Sequence, residues 1–207
     1  MISRSALIMV LFAASMAVAG CASVPDATAA HNRVNRAVGV INQMSSQPAT
    51  AALLRDAKAV LVVLDYAKAA FILGEQGGSG VLLTQHDGQW SDPSFYDVGG
   101  VSIGAQAGVE AGPVVYVLMT PRAVRQFEQR HGRSTLSADA GLVAIRFSTD
   151  TNLAASAAGT SIVSAFPTAD VLVWTGTAGL FGGVALDSSH VVADPQLDRA
   201  YHSGPAR

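Results

Sequence analysis

The chain predicts an α+β fold: a strongly curved, mostly antiparallel, barrel-like β-sheet with N-terminal helices and one further helix near 121–131. Three observations predict it. Apolar residues recur at helical spacing before residue 59 and again after Thr120, β-branched and leucine runs of strand length fill much of the remainder, and residues 99–112 alternate with a period of two. In that last stretch Val101, Ile103, Ala105, Ala107, Val109 and Ala111 take the odd positions, and Gly100, Gly104, Gly108 and Gly112 recur among the even ones. One apolar face makes a strand, and glycines along the other are a device for bending it.

The elements follow in order. Val34, Ala37, Val38, Ile41 and Met44 form one face of a helix over 31–45, weakened at Gly39, and Pro48 suits the first turn of a second helix over 48–58. Val60-Leu61-Val62-Val63-Leu64 is a buried strand. A second run, 67–74, is separated from 80–84 by Glu75-Gln76-Gly77-Gly78-Ser79, and Asp87-Gly88 signals a hairpin turn. Pro113 breaks the alternating strand, 114–119 forms another, and Thr120-Pro121 starts a helix that Gly132 ends, with Val124 and Phe127 toward the core. A strand over 142–147 follows, and 149–161 carries no decisive signal. Strands 171–174 and 180–186 read as a hairpin around Gly176-Thr177-Ala178-Gly179, with a turn at 187–189, a last strand at 191–192 and a surface tail.

Residues 1–20 carry one charge, Arg4, and an apolar stretch from 6 to 19 that is too short to span a bilayer, the layout of a secretion signal. Val18-Ala19-Gly20-Cys21 resembles the lipobox of bacterial lipoproteins, which implies cleavage before Cys21 and acylation of that cysteine. The domains are then a leader at 1–20, an acylated tether at 21–30 and a single folded domain at 31–207. Cys21 is the one cysteine, so the domain forms no internal disulfide. Loss of Arg4 with the leader takes the formal charge from −2 to −3, a balance that excludes nucleic acid as partner. Ala22 lacks the aspartate that favours inner-membrane retention in enteric lipoproteins, so the outer membrane is the expected location.

Chemistry-bearing patterns are sparse. Gly100-Val101-Ser102-Ile103-Gly104 matches G-x-S-x-G, and Asp170 and His190 follow in the order of a serine hydrolase triad. That motif needs Ser102 on a sharp turn between strand and helix, whereas the alternation puts it inside a strand. His31, His86, His131, His190 and His202 are scattered without metal-ligand spacing, so no metal or cofactor is expected. Asp87, Asp92 and Asp97 read as turn residues, and Gly104, Gly108 and Gly112 share the spacing of helix-packing glycines but not the period. Arg122, Arg125, Arg130 and Arg133 make the basic cluster of the chain, either a solvated face or a contact for anionic head groups.

Several segments resemble the SYLF, or Ysc84-like, domain family in order: 57–62, Lys68-Ala69-Ala70-Phe71 with Gly74, 78–82, Asp87-Gly88-Gln89-Trp90-Ser91-Asp92-Pro93-Ser94-Phe95, 99–108, Met119-Thr120 and 179–184. Ala59 and Ala70 stand where members commonly carry glycine. The resemblance implies a lipid-binding module: eukaryotic members bind phosphoinositides and some work with actin, and bacterial members are envelope lipoproteins. On physical preference Lys58, Lys68, Arg33 and Arg36 are the head-group candidates for anionic phospholipid or another apolar ligand. The expectation is thus a non-enzymatic, lipid-anchored envelope domain. Its alternatives are a serine hydrolase using Ser102 and a structural or assembly lipoprotein that binds an envelope protein.

Overall fold

The computed structural model describes residues 27–128, 133–136, 144–148, 167–176 and 178–203. Two helices open it, α1 (Ala27–Ser45) and α2 (Pro48–Asp56). Pro48 takes the first turn of α2, where an N–H would have no helical partner. Buried Thr50 donates its hydroxyl to the Met44 carbonyl at the end of α1, which fixes the turn between the helices.

The sheet elements are β1 (Ala59–His86), β2 (Gln89–Trp90), β3 (Ser94–Leu118), β4 (Arg133–Leu136), β5 (Ala144–Ser148), β6 (Val171–Thr175) and β7 (Ala178–Ala193). Helix α3 (Pro121–Glu128) follows β3, and α4 (Pro195–Ser203) follows β7. The strand order is β2-β1-β3-β6-β5, with β7 also on β3 and β4 on β7. Only β5–β6 is parallel among the described pairings. The α+β class, the antiparallel bias, the N-terminal helices and the helix after Thr120 are as the sequence predicts.

Two strands dominate. β1 has 28 residues and β3 has 25, against about 5–6 for an ordinary strand. A straight strand of the length of β1 would be about 90 Å long. Its ends instead meet, for the Gln85 N–H donates to the Lys58 carbonyl at 2.8 Å. The strand therefore doubles back, and the sheet is strongly curved without closing into a barrel.

Glycine makes the return possible. A Cβ on Gly78 would lie 2.6 Å from Val63 Cγ1 and 2.9 Å from Tyr66 Cα, and one on Gly80 would lie 3.1 Å from the Val62 carbonyl oxygen. The Tyr66 hydroxyl donates across the gap to Gln76 Oε1 at 2.7 Å. Gly108 and Gly112 on β3 have φ of +141°, which L side chains rarely adopt, beside register shifts between Phe71 and Leu73 and between Val63 and Tyr66. The break expected at 75–79 is thus no break: those residues stay in β1, because the strand bends over instead of turning into a new one.

Pro113 also lies within its strand. It falls at the shift between Val63 and Tyr66, where a missing ladder N–H is tolerated, and its carbonyl accepts the Gly176 N–H at 2.9 Å. On the far edge of β3, β6 pairs with Val114–Leu118 and β7 with Tyr96–Ala111. β6 and β7 therefore succeed one another along β3, and the hairpin expected around 176–179 is an end-to-end junction. The turn expected at 187–189 is likewise continuous strand.

Doubling gives the sheet two cores. Val60, Val62, Val115, Val117 and Trp174 pack under Ala37, Met44, Leu53 and Leu197 from the helices. Alternate residues Leu61, Val63, Val114, Tyr116 and Val173 face the returning Leu82, Val98 and Val191, with Ala123 and Val124 of α3. Burial on both faces explains why 60–64 and 114–118 read as continuous apolar runs.

The C-terminal tail, expected at the surface, is a docked helix. Asp194 caps α4 by accepting the Gln196 and Leu197 N–H groups at 3.1 and 3.0 Å, ahead of Pro195 in the first turn. Leu197 is 2% exposed, and the Asp198 carboxylate accepts the Phe95 N–H at 2.8 Å. Tyr201 lies between His31 and Phe95, with ring centroids 4.8 and 5.7 Å away, so α4 joins α1 to the start of β3.

Gly78→Ala should destabilise by about 1–3 kcal/mol in urea unfolding, because backbone blocks the new methyl, whereas Gly39→Ala, with open space around it, should stabilise by about 0.5–1 kcal/mol. Burial pushes the Asp198 carboxyl above its ordinary 3.8, the Phe95 N–H draws it partly back, and Asp194 adds to the rise. Its folded value exceeds its unfolded one, so its contribution favours folding below the unfolded value and is lost as pH rises through the folded one. Asp198→Asn, which keeps the acceptor oxygen, should raise Tm at pH 7, with the gain shrinking toward pH 4.

Candidate functional site

Helix α1 is wide enough in its apolar face to bury one edge and leave another. Ala30, Ala37 and Met44 are buried, while Val34, Val38 and Ile41 flank them. α2 runs only nine residues and stops short of covering this second edge. What remains is a groove of about 720 Å³ between α1, α2 and the two ends of β1. Its floor is Val60, Val81 and Leu83, its walls are Ile41, Ala51 and Leu54, and Trp90 and Pro93 close one side.

The groove holds few polar groups. Ser45, Arg55 and Gln85 are the polar residues lining it, and Val38 and Trp90 at its mouth are 50% and 43% exposed. Its volume lies within the roughly 300–1,000 Å³ of small-molecule sites, and the lining suits a flexible hydrocarbon. A second hollow of about 280 Å³ adjoins it through Gln85, lined also by Lys58, His86, Pro121, Val124 and Arg125. Lys58 and Arg125 are exposed there, so cations border the apolar groove.

The sequence-derived head-group candidates do not form one patch. Lys58 lies beside the second hollow. Arg36 pairs with Asp65, and this hydrogen-bonded guanidinium holds the Asp65 carboxyl below its ordinary range. Both side chains are more than half exposed, so the pair contributes at most about 1 kcal/mol. Arg33 lies 6.0 Å from the Phe95 ring centroid, with Nη1 buried and without a hydrogen-bond partner. Lys68 is 2% exposed and engaged inside the fold, at the register position opposite Glu110, so its ammonium does not face solvent. Arg55, on the groove itself, escaped the sequence reading, although its place in the last turn of an amphipathic helix was visible.

The hydrolase constellation is not assembled. Ser102 lies inside β3, in register with Gly74 and Asp187, with no turn beside it. His190 is registered with Gly99. Asp170 is 6% exposed at the other end of β3, where Thr120 Oγ1 donates to it at 2.7 Å and the Arg122 guanidinium forms an ion pair with it. Thr120 also caps α3 by accepting the Ala123 N–H at 3.2 Å. Arg122 is therefore committed to the fold, while Arg125 is free to face the second hollow.

Among the described residues no three His, Cys, Asp or Glu side chains stand close enough to hold a metal ion. No described helix is long and apolar enough to cross a membrane. Cys21, Arg130 and His131 lie outside the described residues, as does the stretch 149–161.

The family described as "Ysc84: Las17-binding protein actin regulator" matches residues 99–206. LAS seventeen-binding protein 3 of Saccharomyces cerevisiae is 30% identical over 143 residues, 69% of this chain and 30% of that protein. Protein YSC84 of the same yeast is 32% identical over 143 residues, 69% of this chain and 29% of its own length. SH3 domain-containing YSC84-like protein 1 of Mus musculus is 29% identical over 147 residues, 69% of this chain and 39% of that protein. The chain thus spans about a third of the length of the curated relatives it matches. No solved structure matches it. The family match covers just over half of the chain, from within β3 to α4, and the relatives' matches extend over more than two thirds of it, so the protein belongs to the Ysc84, or SYLF, family.

Proposed function

We propose that this protein is a non-enzymatic lipid-binding domain, tethered to a membrane by acylation of Cys21, whose α1–α2–β1 groove receives an acyl chain. The observation that carries the reading is the groove itself, about 720 Å³ of mostly apolar lining open at Val38 and Trp90. Each methylene moved from water into such a lining contributes about 0.8 kcal/mol, so part of one chain suffices for binding. Lys58 and Arg125 at the adjoining hollow then suit an anionic head group, with Arg55 on the groove rim. The mid-strand position of Ser102 speaks against nucleophilic catalysis.

Placement at the outer membrane rests on the lipobox-like Val18-Ala19-Gly20-Cys21 and on Ala22. A protein partner is the second reading, favoured by the names of relatives described as Las17-binding or LAS seventeen-binding. A stoichiometric partner recovered from solubilised envelopes, together with a lipid-free domain, would favour it.

Trp90 is the natural reporter of the groove, because the chain's other tryptophan, Trp174, is 2% exposed and insensitive to the mouth. Adding palmitate should shift the fluorescence to the blue, Trp90→Phe should abolish the shift, and Val38→Asp should weaken binding about tenfold or more, since a buried polar group costs roughly 1–3 kcal/mol. An unchanged spectrum at saturating lipid would reject the groove as an acyl site. Cys21→Ser should lose fatty-acid labelling and move the protein from the membrane to the soluble fraction; retention on the membrane would count against the tether.

A further inference from the structure

The apolar groove and the second hollow meet at Gln85, which lines both. Their linings differ in kind. The groove is apolar along α1, α2 and the ends of β1, whereas the hollow is bordered by the hydrogen-bond donors of Lys58, His86 and Arg125. The chain carries 15 acidic side chains against 13 basic ones, yet among the described residues no carboxylate lines either cavity. Arg55, Lys58 and Arg125 form no ion pair among the described residues, while Arg36 and Arg122 are held by Asp65 and Asp170. Uncommitted cations therefore gather beside an apolar groove.

We infer that groove and hollow form one site for a phospholipid with a single tail, the groove taking the tail and the hollow its glycerol phosphate. This rests on the reading of the groove as an acyl site and narrows it to one class of lipid.

Size selects the single tail. At about 30 Å³ per carbon, close to the share of one water molecule in the liquid, a tail of sixteen carbons fills roughly 480 Å³ and two such tails roughly 960 Å³. The groove, at about 720 Å³, holds the first and not the second. On the same scale a carboxylate, about 90 Å³, would leave most of the hollow of about 280 Å³ empty, whereas a glycerol phosphate, roughly 300 Å³, fills it.

Charge selects the phosphate. A phosphate monoester brings close to two negative charges and three acceptor oxygens. That is enough to engage Lys58 and Arg125 together, with the Gln85 amide and the His86 imidazole as further donors. A choline or ethanolamine head would instead set its own cation among them. A single chain is held by a bilayer only marginally, so a groove open at Val38 and Trp90 can receive such a lipid from solution.

The test uses the full chain carrying Cys21→Ser, with Trp90 fluorescence as the readout for two probes, 1-palmitoyl lysophosphatidic acid and palmitate. The lysophosphatidic acid should bind at least tenfold more tightly. After exposure to vesicles of dipalmitoyl phosphatidic acid, native mass spectrometry should show no two-tailed lipid on the protein. Lys58→Gln combined with Arg125→Gln should bring lysophosphatidic acid down to the level of palmitate, and Arg36→Gln, which removes a cation outside both cavities, should leave it unchanged. Equal affinities for the two probes would overturn the proposal and leave the acyl groove standing, as would retention of the two-tailed lipid or an unaltered affinity in the double variant. No response to either probe would reject the groove itself. The comparison of probes needs no substitution at Lys58 or Arg125, so it decides the matter whether or not the double variant folds.

Discussion

Everything in this fold depends on the absence of a side chain at Gly78, where β1 returns against the backbone of Tyr66. With a would-be Cβ only 2.9 Å from Tyr66 Cα, close approach is possible for glycine and for nothing larger without backbone movement. That contact turns a ribbon that would extend about 90 Å into a doubled sheet with an interior. Leu61 and Val63 on the outgoing half then find Leu82 and Val98 on the returning half, and the Lys58 carbonyl finds the Gln85 N–H.

The same doubling creates the candidate site. Both ends of β1 arrive under α1 and α2, and the helices are too short to seal them, so Val60, Val81 and Leu83 become the floor of a groove. The middle of β1 is carried away from α1 and α2. There the polar side chains turn inward, and small apolar ones are left outside. α4 braces the arrangement, since Asp194 and Asp198 hold both the N–H and the carbonyl of Phe95 at the start of β3.

Much of this was legible where local chemistry decides the outcome. The Asp87-Gly88 turn has the positive φ values of 50° and 78° that its residues favour, the Thr120 cap is formed, and the glycine alternation in β3 does mark a bent strand. Errors arose where long-range pairing overrides local signals. Gly77-Gly78 and Gly176 look like turn residues, yet the first pair serves a close approach within one strand, and the second lies at a junction between two strands that share β3. Asp194-Pro195 is a helix-start signal, but the nine residues of α4 carry one buried apolar side chain, Leu197, too few to show a helical period. The groove was beyond reach: Val38 and Ile41 read as core-facing residues, and only the length of α2 leaves them uncovered. Lys68 read as a surface cation because nothing local reveals that the alternation inverts at the bend.

The return of β1 against its own backbone can be read from proton–proton contacts in the isotope-labelled protein. It predicts cross-peaks between Gly78 and Tyr66 and between Gln85 and Lys58, alongside those of the β1–β3 ladder. A spectrum that kept the ladder and lacked both of these long-range pairs would describe a straight ribbon and contradict it.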